Sequence, residues 1–242
     1  SGARFFSLCG QTILSVAVGW QLYERTNSPW ALGLVGAVEL TPVLLLMVIT
    51  GNVCDRFPRR NVALFAHSVL AFAAVGLTLI ARTDGPVEAI FGMLLLVGVA
   101  RSFAQPSMGT ILPQLLQKEQ FVNATAWVSS AVQLASVSGP ALGGFIIALT
   151  GGATLAFAFA AATQLCVFGL LCLIPPVPPP PSDPESRKTP AQIFAGFRFV
   201  RRNPLFLSAI TLDLFAVLLG GAVALLPIFA KDILKVGPDG LG

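Results

Sequence analysis

The chain has 242 residues, of which 55% are hydrophobic and only 11% charged, and its mean hydropathy is +0.81. A soluble domain carries about 25% charged residues to cover its surface, so composition excludes water as the solvent of most of this chain and points to lipid. The formal net charge of +4 says less than the placement of the charges, and no nucleic-acid partner is expected.

A spanning helix needs about 20 mostly apolar residues to cross about 30 Å of hydrocarbon. Seven such stretches occur in order: Phe5–Tyr23, Trp30–Val53, Val62–Ala81, Glu88–Leu112, Ala124–Leu149, Leu155–Ile174 and Leu205–Ala230. Their lengths are helical and they are built of Ala, Leu, Gly and Phe, which argues against a β-barrel. The first lacks a small-residue cleavage site, so it reads as a span and not a signal peptide. Ser1 lies close to an apolar run without a basic leader, and Gly242 ends a Gly/Pro-rich turn. Both ends are therefore expected to be cuts in a longer protein.

Basic residues gather in alternate connections. Arg56, Arg59, Arg60, Lys118, Arg187, Lys188, Arg198, Arg201 and Arg202 fall on one side, while Arg25, Arg82, Lys231 and Lys235 fall on the other. The positive-inside rule makes the first side cytoplasmic, including the loop 54–60 and the segment 176–203. The expected organisation is a six-helix domain over 1–175, a cytoplasmic linker over 176–203, and the start of a second membrane domain over 204–242. The linker opens on a polyproline run from Pro175 to Pro181, an extended spacer. A short amphipathic helix is expected from Thr189, with Ile193, Phe194, Phe197 and Val200 on one face; it would lie on the membrane surface or bind a protein.

Four cysteines, Cys9, Cys54, Cys166 and Cys172, show no metal or disulfide spacing. Neither a metal nor another cofactor is expected.

The most specific motif joins the second and third spans: Gly51, then Asp55 and Arg56, then Arg59 and Arg60. An acidic residue at a helix C-terminus is ill placed against the partial negative charge there, so Asp55 needs compensation. A merely basic topogenic loop would account for the arginines but not for Gly51 and Asp55. A second motif, Gly139-Pro140 followed by Gly143-Gly144, lies inside the fifth span. Pro140 removes a helical hydrogen bond, and Gly139 with Gly143 lets a neighbouring backbone approach. A helix that shifts during a conformational cycle and a static packing seam both fit.

These motifs resemble the loop signature and the antiporter-associated helix motif of the major facilitator superfamily, although Pro58 stands where the family has a glycine. The stretches Arg101–Pro106, Leu112–Leu115 and Asn123-Ala124, with Asp213–Leu226, are similar to the branch that holds macrolide-efflux proteins and enterobactin exporters. The resemblance implies an all-α membrane protein of about twelve helices in full, built from two six-helix bundles, with export of a small amphiphilic molecule in exchange for protons and no enzymatic activity. It also implies a bacterial inner-membrane location, a monomer at full length, and a cytoplasmic latch at Asp55.

Ionisable residues inside spans are costly and therefore informative. Glu39, Arg101 and Asp213 stand out. At 1.5 Å per residue Glu39 lies ~13 Å and Arg101 ~20 Å below the outer side, within reach of each other if their helices adjoin. Asp213 lies ~12 Å in from the cytoplasm. Arg101 resembles the family's fourth-helix arginine. Asp213 or Glu39 is expected to exchange a proton with Arg101 modulating it, and structural ion pairing of Glu39 with Arg101 is equally open. His67, the only histidine, reads as a satisfied core residue. A membrane enzyme would need clustered catalytic groups, which the sequence lacks; a transporter-like sensor or scaffold, or a lipid-handling protein without active export, remains the competing class.

Overall fold

Inside a bilayer no water serves the peptide groups, so each apolar stretch must satisfy its own hydrogen bonds. The structure, a computed structural model, describes residues 2–115, 118–174 and 201–220. Within them lie α1 (Gly2–Thr26), α2 (Pro29–Arg56), α3 (Arg59–Thr83), α4 (Val87–Leu115), α5 (Lys118–Thr150), α6 (Thr154–Cys172) and α7 (Pro204–Gly220). The first six are long and apolar enough to cross a membrane. The polyproline run, most of the expected amphipathic helix and the end of the expected seventh span fall outside the described residues.

Several helices run further than their apolar stretches. α5 starts at Lys118, about two turns before Ala124, and α4 continues through Pro106 and Pro113. Polar ends do not stop a helix whose backbone can bond to itself, so hydropathy marks the membrane-buried part and not the whole element.

The turns at the end away from the arginine-rich loop share one device. Asn27, Asp84 and Gly151 follow α1, α3 and α5, with φ of 46°, 50° and 68°. Asn, Asp and Gly tolerate this left-handed conformation, which turns the chain out of a helix. Gly85 then donates its N–H to Ile80 O at 3.0 Å. Arg25 ties two of these turns together, donating to Asp84 Oδ1 and to Gly85 O at 2.7 Å each. The opposite connection between α2 and α3 is only Phe57-Pro58, and Pro58 caps the start of α3.

α1 packs on α5 and α6, α4 packs on α2 and α3, and α3 closes on α6. Exchanging α1–α3 with α4–α6 leaves this pattern unchanged. Such a relation between two three-helix repeats is expected within each half of a major facilitator protein. The core gathers Ile13, Leu22, Leu70, Leu94 and Phe157, each fully buried, with a run of alanines between them. Small side chains let the helices approach where no hydrophobic force drives them together.

α2 and α5, which the exchange relates, bury the smallest shares of their residues among the six spans. Both contain an interior proline, Pro42 and Pro140.

Candidate functional site

Gly98 of α4 faces the turn of α2 that holds Glu39 and Pro42. A side chain placed there would meet Glu39 O at 2.5 Å and Pro42 Cγ at 2.8 Å, so only glycine allows the crossing. Three residues on from Gly98, the same face of α4 presents Arg101 to α2. There Arg101 Nη1 donates to Glu39 Oε2, forming an ion pair whose side chains are 20% and 15% exposed.

The pair lines a cavity of about 660 Å³ between α2 and α4. Ser102 and Gln105 add polar groups, and Leu40, Val43 and Met47 add apolar wall. The lining along α2 runs from Gly36 to Gly51, about 22 Å of helix. A volume of 300–1,000 Å³ with mostly apolar walls and a few fixed polar groups suits a small amphiphilic ligand. Charge inside a membrane is tolerated where it is paired with an opposite charge, and Glu39 with Arg101 meets that condition. Arg101 Nε is buried and finds no acceptor among the described residues.

The loop motif is spread over this site and its surroundings. Gly51 lines the basic end of the cavity. Asp55 and Arg56 form the last turn of α2, and the Asp55 side chain lies outside the described part. Arg59 and Arg60 open α3. Arg60 reaches across to α6, where its Nε donates to Leu171 O and its Nη2 to Cys172 O, both at 2.9 Å. A guanidinium on the last carbonyls of a helix C-terminus answers their partial negative charge.

The Gly139–Gly144 motif faces α1. Gly139 abuts Thr12 and the carbonyl of Cys9, Gly143 lies against the Ile13 backbone, and Gly144 is buried. Pro140 stays within an unbroken helix. Asp213 is exposed on α7, and the described lining of the cavity does not include it.

Two parts of the arrangement carried no sequence signal of their own. Gly98 is one small residue among many in a span, and Arg60 declares its charge but not its partner. His67 is fully buried, its Nδ1 2.8 Å from Gln164 Oε1, and Gln164 Nε2 donates to Ser7 O at 3.3 Å. These bonds tie α3, α6 and α1 together inside the core. No three His, Cys, Asp or Glu side chains gather as metal ligands would among the described residues.

Residues 2–242 match the sequence profile of a family described as "Transmembrane secretion effector". Among curated proteins, the chain is 32% identical over 205 residues to the enterobactin exporter EntS of Shigella boydii serotype 18 (strain CDC 3083-94 / BS512), covering 84% of this chain and 48% of that protein. The EntS protein of Escherichia coli O1:K1 / APEC gives the same figures. The chain thus spans about half the length of the curated relatives it matches. Among solved structures, it is similar to the POT family transporter PepTSo, with a TM-score of 0.61, 16% identity, and coverage of 76% of this chain and 38% of that one. A mutant of the peptide transporter POT gives a TM-score of 0.60 at 15% identity over 97% of this chain and 49% of its own. At such identities the likeness concerns the fold alone.

Proposed function

The chain belongs to the transmembrane secretion effector family of major facilitator transporters, and from that premise we propose that it supplies one half of a proton-coupled exporter of a small amphiphilic molecule. The observation that carries this reading is the Glu39–Arg101 pair inside the cavity between α2 and α4. On this reading the basic end of the bundle lies in the cytoplasm of a bacterial cell and the chain sits in the inner membrane. The ligand is of the amphiphilic class to which the siderophore named by the relatives belongs, and it enters between α2, α4 and the remaining half.

Arg101 and a proton compete for the same Glu39 oxygen. While the helices hold together, the guanidinium answers the carboxylate charge. When the cavity changes its open side and the pair parts, a proton takes that place and is carried with Glu39. The glycine seam between α5 and α1 provides the close, low-relief contact along which such a shift can occur. Asp213 on α7 is a second candidate for the proton site.

The test uses the full-length protein in proteoliposomes, with enterobactin and a lipophilic fluorescent dye as probes. The wild type is expected to move at least one of them outward under an imposed proton gradient. Glu39→Gln should still bind the probe but lose gradient-driven transport, by about a hundredfold or more, because a neutral side chain exchanges no proton. Gradient-driven transport by Glu39→Gln at the wild-type rate refutes the role of Glu39, and the parallel Asp213→Asn variant then decides whether Asp213 holds it. Binding without flux in the wild type would favour the sensor or scaffold reading.

A further inference from the structure

A second, smaller hollow of about 30 Å³ lies between α1 and α4, next to the first. Arg4, Ser7 and Gln11 of α1 line it from one side, and Ala104, Gln105 and Met108 of α4 from the other. Gln105 also lines the large cavity, so the two spaces share a wall residue.

Arg4, Ser7 and Gln11 stand at helical spacing on one face of α1, and Gln105 stands one turn from Arg101 on α4. Arg4 is two residues and Gln11 nine residues into α1, so the polar stripe reaches ~13 Å inward from the basic end. There Gln105 continues it to Arg101 and Glu39. A seam between packed membrane helices is ordinarily built of small or apolar residues, because polar groups facing hydrocarbon are costly. Here Arg4, Ser7, Gln11 and Gln105 stand together among Leu8, Ala104 and Met108.

Size and chemistry both favour water as the occupant. A buried water needs about 10–15 Å³ of accessible volume and two to four polar partners, so the hollow has room for about two. Gln11 Nε2 donates to Ser7 Oγ at 3.1 Å. The buried Nε of Arg4, at one end of the line, finds no acceptor among the described residues, nor does that of Arg101 at the other. Buried donors left without protein acceptors are the groups that bridging water satisfies.

We propose that the seam between α1 and α4, lined by Arg4, Ser7, Gln11 and Gln105, is a hydrated passage that carries protons between the basic end of the bundle and the Glu39–Arg101 pair. Its proton role rests on the assignment of proton exchange to Glu39; its hydration does not. The passage gives Glu39 access to the cytoplasmic side at the basic end of the bundle.

The test compares two positions at equal depth in the full-length protein, in membrane vesicles and with the native cysteines replaced by serine. Gln11 is nine residues into α1 and Ser68 nine residues into α3, where Ser68 is exposed on the outer face of the bundle and its hydroxyl donates to Leu64 O. Silver ion, small enough to pass where water does, applied from the cytoplasmic side should block Gln11→Cys at least about tenfold faster than Ser68→Cys, read as lost labelling of the thiol after denaturation, since a thiol in apolar surroundings forms little reactive thiolate. Separately, Gln11→Leu should slow enterobactin-driven proton movement, read with an internal pH dye, while leaving enterobactin binding unchanged. Equal modification at the two positions overturns the passage, and unchanged proton movement in Gln11→Leu overturns its proton role. If Gln11→Cys reacts fast but Glu39→Gln still exchanges protons, the hydrated passage is supported and the Glu39 assignment is what fails.

Discussion

Gly98 and Arg101 stand one turn apart on α4, and the first decides what the second meets. A Cβ at 98 would press on the carbonyl of Glu39 and the ring of Pro42. The first is helix backbone and the second a ring closed onto it, so neither can swing aside as a free side chain would. Gly98→Val should therefore cost about 1–3 kcal/mol through forced separation of α2 from α4. It should also part the Glu39–Arg101 pair, so that transport falls together with the unfolding temperature in detergent. Gly92 on the same helix has open space around it, and Gly92→Ala should change neither quantity. Equal effects at both positions would mean that the close crossing has no special part. Glu39 and Arg101 were legible in the sequence because charge in a span is rare and demands a partner. Gly98 was not, because glycines are common in spanning helices and only the facing backbone tells which one is needed.

Elements extend this pattern. The apolar stretches located the six spans, since their lengths reflect the thickness of the bilayer. Their full extent escaped the same reading: α5 includes Lys118 ahead of its apolar stretch and α4 includes Pro113 and Gln114 beyond its own, because helical bonding continues past the hydrocarbon. The arginine-rich loop was visible as a charge cluster, yet what Arg60 does depends on where α6 ends. Its two bonds to Leu171 and Cys172 secure the last turn of that helix. Arg60→Gln should destabilise the protein by about 1–2 kcal/mol, the range for a charged group on a helix terminus. Arg60→Lys should fall between the wild type and Arg60→Gln, because an ammonium keeps the charge but not the planar two-pronged reach. Thermal unfolding in detergent reads the order of the three; an indifferent Arg60→Gln would mean that water serves the α6 carbonyls equally well.

For the molecule as a whole, the exchange of α1–α3 with α4–α6 explains which faces remain open. Each repeat buries its first and third helices in the shared core and leaves its second, α2 or α5, at the edge. α2 exposes Leu40, Leu44 and Met47, and α5 exposes Leu134 and Val137. Lipid covers some open faces of any such bundle, as along the α3 stripe of Phe65, Phe72 and Leu79. The face of α2 differs because it is hollowed and holds an ion pair, and on the proposed function it meets the remaining half across the ligand cavity. That distinction between a lipid-covered and a water-facing surface is the claim on which the rest depends. It can be measured by placing a spin label at Leu40→Cys or Phe72→Cys in the reconstituted full-length protein and comparing collisions with oxygen, which concentrates in lipid, and with a water-soluble nickel chelate. The account predicts that the label at position 40 meets the nickel chelate and that the label at 72 meets oxygen. A label at 40 that meets oxygen as freely as the one at 72 would show acyl chains against the Glu39–Arg101 cavity, and would contradict a transport route there.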